Sequence, residues 1–248
     1  GSVDSARAEL RTDTGTIISY KVLLLAPGSE PNFFNIPGLA EHSYPLKTLI
    51  DSMHIREELL LLLTNSEAPR LKIVIGGGGS TGVELAGEVA IMVRGVTSRP
   101  VDITLVDASA SILSAFDSRI IALATQRLKA LNVSLLCAQR ILSVEEHKIL
   151  LQSGSSLSYD MLLWAGGIMP SSLMRTLAVA CDSHGHVLVG ADLRCQPVGD
   201  GEQNPIFAVG DAVRVIDPKT NQPVPAVARA AISQATIATR NIFNALMA

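Results

Sequence analysis

LKIVIGGGGSTGVELAGE, residues 71–88, is the stretch on which the fold turns. Leu71 to Gly76 is a short apolar run of the kind that forms a buried strand, and Val83 to Val93 has helical character. Between them Gly77, Gly79 and Gly82 match G-x-G-x-x-G, and Asp107 closes the next apolar run 25 residues after Gly82. The glycine spacing alone is weakly specific; its place between strand and helix, with an acidic residue downstream, gives it meaning. Gly77 permits a tight strand-to-helix turn, Gly79 lets backbone approach a pyrophosphate, and Gly82 lets helix and strand pack closely. Gly78, Ser80 and Thr81 complete a helix start whose free N–H groups and dipole favour phosphate. The turn therefore predicts a nicotinamide dinucleotide site; a glycine loop with packing duties alone is the bland alternative. At Asp107 a carboxylate accepts hydrogen bonds from the adenosine ribose and repels a 2′-phosphate, which favours NADH over NADPH. Glu84 has two open readings, a first-turn carboxylate favoured by the dipole or a group pointing toward the nicotinamide.

Working outward, the residues predict an α/β protein. Ala8 to Tyr20 reads as a hairpin turning at Asp13-Thr14-Gly15. KVLLLAPGS (21–29) reads as a strand buried on both faces, and residues 30–45, with three prolines, as a crossing loop. Leu46 to Leu63 and Ser118 to Leu131 read as helices. VDITLVDA (101–108), VSLLC (133–137) and YDMLLWAGG (159–167) read as strands, and Ile141 to Gln152 as a hairpin turning near Glu146-His147. This alternation demands a parallel, Rossmann-like sheet with right-handed crossovers. Farther on come a short strand near Val187 to Val189, a buried strand in PIFAVGDAV (205–213) and a helix from Ala226 to Ala245. LLLAPGS (23–29) and LLWAGGI (162–168) echo one another, each a buried run stopping in small residues.

Composition narrows the function. Of 248 residues 48% are hydrophobic and 17% charged, so the chain is built to bury a core rather than stay disordered. A net charge of −3 with scattered basic residues and 4% aromatics argues against a nucleic-acid partner. Cys137, Cys181 and Cys195 show no CxxC spacing and read as buried free thiols, and His184 and His186 flank Gly185 in a turn, so no metal site is expected. Gly1-Ser2 reads as a remnant of cloning, no signal peptide follows, and the longest aliphatic run, Leu59 to Leu63, is far too short to span a bilayer. A cytoplasmic protein is the expectation.

Four stretches together resemble the two-dinucleotide-binding flavoproteins, in particular the type II NADH:quinone oxidoreductases: LLLAPGSEPNFFNIPGLAEHSYPLK (23–47), IVIGGGGSTGVELAGE (73–88), LLWAGGIMPS (162–171) and IFAVGDAV (206–213). The resemblance implies an NADH domain at 46–165 inserted in an FAD domain formed by 1–45 and 166–248. It brings the glycines that end the echoed strands, Gly28 and the Gly166-Gly167 pair, beside the cofactors. It implies that Gly210-Asp211 holds the ribityl and phosphate region of FAD and that Ala226 to Gln234 lies near the isoalloxazine and quinone. The implied reaction is hydride transfer from NADH to FAD, then delivery of electrons to quinone, with no acid–base residue required for the first step.

The match has gaps. Such enzymes open with their own glycine motif for FAD, well ahead of the position of Val3, and end in an amphipathic region that docks them peripherally on a membrane; neither occurs in these residues. The chain therefore reads as a piece of a larger enzyme, binding NAD(H) alone while the parent enzyme carries FAD. Arg229, Ser233 and Gln234 stand where the family tends toward glutamines, which leaves the acceptor open. Ferredoxin or rubredoxin reductases, sulfide:quinone oxidoreductases and a non-catalytic NAD-binding module are the alternatives. Strands 21–26 and 205–209, without a central neighbour, are expected to promote a homodimer or other self-association.

Overall fold

The computed structural model describes residues 2–4, 6–177, 179–196, 198 and 204–247. The chain divides by packing into two compact units, Gly1–Glu30 with Ile168–Ala248, and Pro31–Gly167.

The Pro31–Gly167 unit is built on a five-stranded sheet ordered Tyr44–Pro45, Met161–Trp164, Leu71–Gly76, Val101–Val106, Val133–Leu136. Every neighbouring pair is parallel, with Ile73 opposite both Met161 and Ile103, and Ile103 opposite Val133. Alternation along the strands sorts their side chains onto two covered faces. Leu71, Ile73, Ile75, Ile103, Leu105, Val133, Met161 and Leu163 share one core with Ile55, Leu59, Val89 and Leu128 of the helices. Val74, Val106, Leu162 and Trp164 face the other way, into a core with Leu39, Val144, Ile149 and Leu151. That second face lies under an antiparallel meander of Ile141–Glu145, Lys148–Leu151 and Ser156–Ser158. Two covered faces are why these strands read as continuous apolar runs.

The helices are Leu49–Asn65, Ser80–Val96 and Ser118–Ala130. The first starts three residues later than its apolar pattern predicts, because Thr48 and Asp51 form a capping box. The glycine-turn helix instead starts earlier than Val83, and the third ends one residue short, Leu131 being its cap. Ser156–Ser158 and Tyr44–Pro45 were not legible as strands; the second falls inside the segment read as a crossing loop. That segment packs with this unit. Phe33, Ile36 and Leu39 join the second core, and Val144 N–H donates to the Pro37 carbonyl at 2.9 Å. Packing therefore divides the chain at 30/31 and 167/168, whereas the resemblance led to the expectation of a division at 45/46 and 165/166.

In the other unit, Ser2–Asp4, Glu9–Arg11 and Ile17–Ser19 form an antiparallel sheet that contains the expected hairpin. Ser2 pairs with Arg11, while Gly1 lies outside the described residues. Leu23–Leu25 pairs in parallel with Ile206–Ala208 as a two-stranded sheet. The run 21–29 was expected to be buried on both faces, yet Leu25 is 6% exposed and Leu24 40%. The face that carries Leu24 is only part-covered among the described residues, and the strand has a single partner. Helix Ala228–Met247 closes the unit, with Ala238 buried beside Leu193 and Val209. No helix among the described residues is long and apolar enough to cross a membrane.

Candidate functional site

The glycine turn sits at the carboxyl end of the Leu71–Gly76 strand, and packing accounts for most of its glycines. Gly77 has φ +107, and a Cβ there would stand 2.5 Å from both the Ala165 carbonyl oxygen and Gly166 Cα. A Cβ on Gly82 would land on the carbonyl of Gly77. Gly78 has a duty the motif does not reveal: its Cβ would come within 2.9 Å of the Asp107 Cβ. Gly79 differs from all of these. It is exposed, its φ of −71 suits any residue, and an added Cβ would meet nothing within 4 Å. The described residues give no steric reason for glycine at 79.

Gly79 also caps the Ser80–Val96 helix, with no side chain bonded to the first turn. Ser80 and Thr81 are exposed there. An uncapped helix start offers N–H groups and positive dipole potential to an anion. Glu84 is exposed and lies one residue past the first turn, and its side chain makes no hydrogen bond or ion pair among the described residues. The first-turn reading of Glu84 is thereby corrected: the first turn of this helix holds no acidic residue.

Asp107 grips the turn. Its Oδ2 accepts from Gly78 N–H at 2.5 Å and its Oδ1 from Ser109 N–H at 2.7 Å. The segment after it is zipped to the end of the next strand: Asp107 N–H donates to Leu136, Ala138 N–H to Ser109 and Gln139 N–H to Asp107, at 3.0, 2.7 and 3.0 Å. A cleft of about 580 Å³ opens above these strand ends, where open α/β sheets place their ligands. Gly77, Asp107 and Gly166 line it, as do Phe34, Arg140 and Trp164. Trp164 forms a fixed wall, its Nε1 donating to the Asn32 carbonyl at 2.8 Å and Phe34 standing edge-on at 6.4 Å. Gly166 is small because a Cβ would enter the Trp164 ring, and Gly167, with φ +152, abuts Phe34. Phe34, Arg140 and Trp164 escaped the sequence reading; the clue was their position just beyond or at the end of predicted strands.

The other candidate residues gather in the second unit. Ser29 Oγ donates to Asp211 Oδ2 at 2.7 Å, Gly210 N–H donates to Gln234 Oε1 at 2.7 Å, and Ser171 N–H donates to Gly28 at 3.3 Å. Gly28 and Gly210 both have positive φ, 71° and 78°. Glu30 accepts from the Ser171 and Ser172 hydroxyls and Ser172 N–H. Burial acts to raise the Glu30 carboxyl, but those bonds outweigh it and hold the group below its ordinary range. The helix expected from Ala226 starts at Ala228, and Gln234 is spent on Gly210. His184 and His186 do lie in a turn, closed by Gly185 N–H on the Asp182 carbonyl at 3.0 Å.

The family model for pyridine nucleotide-disulphide oxidoreductases matches residues 2–235. The chain is similar to the internal alternative NAD(P)H-ubiquinone oxidoreductase A1, mitochondrial, of Arabidopsis thaliana, at 31% identity over 92% of this chain and 46% of that protein. It is similar to a type II NADH:quinone oxidoreductase of Staphylococcus saprophyticus, at 24% identity over 98% of this chain and 63% of that one. Among solved structures, NDH2 from Plasmodium falciparum in complex with NADH aligns with TM-score 0.75 and 23% identity, covering 87% of this chain and 49% of that chain. Reduced Bacillus anthracis CoADR-RHD aligns with TM-score 0.77 and 24% identity, over 99% and 42%. The structural likenesses bear on the fold. The chain spans just under half the length of the plant relative it matches.

Proposed function

The chain belongs to the pyridine nucleotide-disulphide oxidoreductase family, and from that premise we propose that its Pro31–Gly167 unit binds NADH in the cleft above the glycine turn, as part of an FAD-dependent NADH dehydrogenase of the NADH:quinone type. The observation that carries the reading is Gly79. A glycine that packing does not require, at an uncapped helix start, lets backbone approach a ligand closely. The pyrophosphate rests against Gly77 to Gly82, with Ser80 and Thr81 at its flank. Asp107 keeps acceptor capacity beyond the two N–H groups it holds and takes the ribose hydroxyls. Gly166, Phe34 and Trp164 line the cleft, and Gly167 abuts Phe34 behind it. When bound, the dinucleotide supplies the hydride; the residues here orient it and carry no proton in that step.

The residue set Gly28, Gly210 and Asp211 fits the parent enzyme's FAD. Ser29 fixes the Asp211 carboxylate, and the backbone at Gly28 leaves open space where a side chain would stand. The FAD domain is then 1–45 with 166–248, the NADH domain 46–165, and a quinone the parent's acceptor. The 248-residue chain binds NAD(H) without turnover. Titration of this chain with NADH, followed by nucleotide fluorescence, tests the reading. Saturable binding to a colourless protein is the expected result, and absence of binding refutes it.

The same chain self-associates, in this reading, through the unit that carries Leu24, 40% exposed on a two-stranded sheet, with Ile232 and Phe243 at 68% and 62% on its last helix. Unpartnered strand edges and apolar faces favour association. Light scattering at high concentration should give a mass above that of one chain; a monodisperse monomer counts against it.

A further inference from the structure

Two charged residues line the cleft, and they are unequally occupied. Each oxygen of Asp107 already accepts a backbone N–H, from Gly78 and from Ser109. Arg140 is exposed in the cleft wall, and its guanidinium makes no hydrogen bond or ion pair among the described residues. Its position is nevertheless fixed by backbone. Gln139 N–H holds the Asp107 carbonyl at 3.0 Å, Ala138 N–H holds the Ser109 carbonyl at 2.7 Å, and the Arg140 carbonyl takes Gln152 N–H at 2.8 Å. The residues that follow Asp107 are Ala108 and Ser109, short side chains that leave the mouth of the cleft open.

In dinucleotide sites the carboxylate at the end of the second strand reads the ribose 2′-hydroxyl, and a nearby arginine accommodates a 2′-phosphate. We propose that Arg140 is a specificity-determining residue that admits a 2′-phosphate beside Asp107, so that this cleft takes both NADH and NADPH. The proposal rests on the reading that the cleft holds a nicotinamide dinucleotide. It modifies the preference that Asp107 alone sets: the carboxylate repels the phosphate, and the guanidinium, with five donors and no partner among the described residues, offsets that repulsion.

The experiment measures dissociation constants of NADH and NADPH, and of ADP-ribose and 2′-phospho-ADP-ribose, for the 248-residue chain and two variants. The expected result is measurable NADPH binding by the native chain. In Arg140→Gln the ratio of NADPH to NADH affinity falls about tenfold or more, as expected for loss of a charge-assisted contact. The ratio rises in Asp107→Asn. The phosphorylated and plain ADP-ribose pair follows the same ratios, which ties the effect to the 2′ position. Native binding of NADH with a ratio unmoved by Arg140→Gln overturns the proposal and leaves the dinucleotide site standing. No binding of either coenzyme by the native chain overturns both.

Discussion

Replacing Gly79 by alanine separates a binding role from a packing role, because the two predict opposite stability outcomes. The backbone at 79 has φ −71 and ψ −177, which alanine adopts without strain, and its Cβ would meet no atom within 4 Å. Restricting the unfolded chain stabilises by about 0.4–1 kcal/mol. Alanine is a poorer cap than glycine, which costs a similar amount. The two nearly cancel, so Tm should move by no more than about 2 °C, at roughly 2–4 °C per kcal/mol for a chain of this size. The affinity for NADH should fall about tenfold or more, ~1.4 kcal/mol, because the methyl occupies the approach of the pyrophosphate. Gly78→Ala is the contrast. Its Cβ would stand 2.9 Å from the Asp107 Cβ and 3.0 Å from its Cγ. Overpacking of that kind costs about 1–3 kcal/mol, so this variant should melt measurably lower. Thermal melts paired with NADH titrations read both quantities. An alanine at 79 that melts and binds like the native chain would refute the placement of the pyrophosphate.

Other outcomes follow from single contacts. Trp164 is the one tryptophan of the chain and lines the cleft, so saturating NADH should quench its emission; unchanged emission with bound NADH would mean the nucleotide lies elsewhere. Thr48→Ala breaks the capping box and should cost about 1 kcal/mol in thermal melts while NADH affinity stays as it was. Burial acts to raise the Asp182 carboxyl from its ordinary 3.8, but the His186 N–H, the Arg214 guanidinium and the His184 N–H outweigh it and hold the group lower. The stability this group contributes is therefore complete above pH 3.8 and lost as pH falls through the lower folded value; Asp182→Asn should flatten that acid limb, and an identical acid transition would sink the assignment. Burial, with Cys181 nearby, pushes the Cys195 thiol up to about 12, so a thiol reagent should label Cys195 only as the chain unfolds; rapid labelling of the folded chain would contradict that burial.

Local chemistry made part of this molecule readable. The four strands at Leu71, Val101, Val133 and Met161 are mostly apolar, and their spacing leaves room for one helix or one meander between them. Their parallel order follows from that. Tyr44–Pro45 was not readable, because a two-residue strand next to prolines has no pattern of its own and exists only by pairing with Leu163 and Trp164. KVLLLAPGS misled for a related reason. An apolar run records the burial it is suited to, and Leu24 lacks the neighbour that would cover it.

For the candidate site, the chain by itself determined the turn, from Gly77 through Gly82, and the carboxylate at Asp107, because motif spacing is set by residues adjacent along the backbone. It could not say that Gly78 is small to admit Asp107, that Gly79 is the glycine of the turn an added Cβ would leave without contact, or that Arg140 lines the same cleft as Asp107. Those facts belong to the tertiary structure; the relations of Asp107 with Gly78 and with Arg140 join residues about 30 positions apart that meet only when parallel strands align their carboxyl ends.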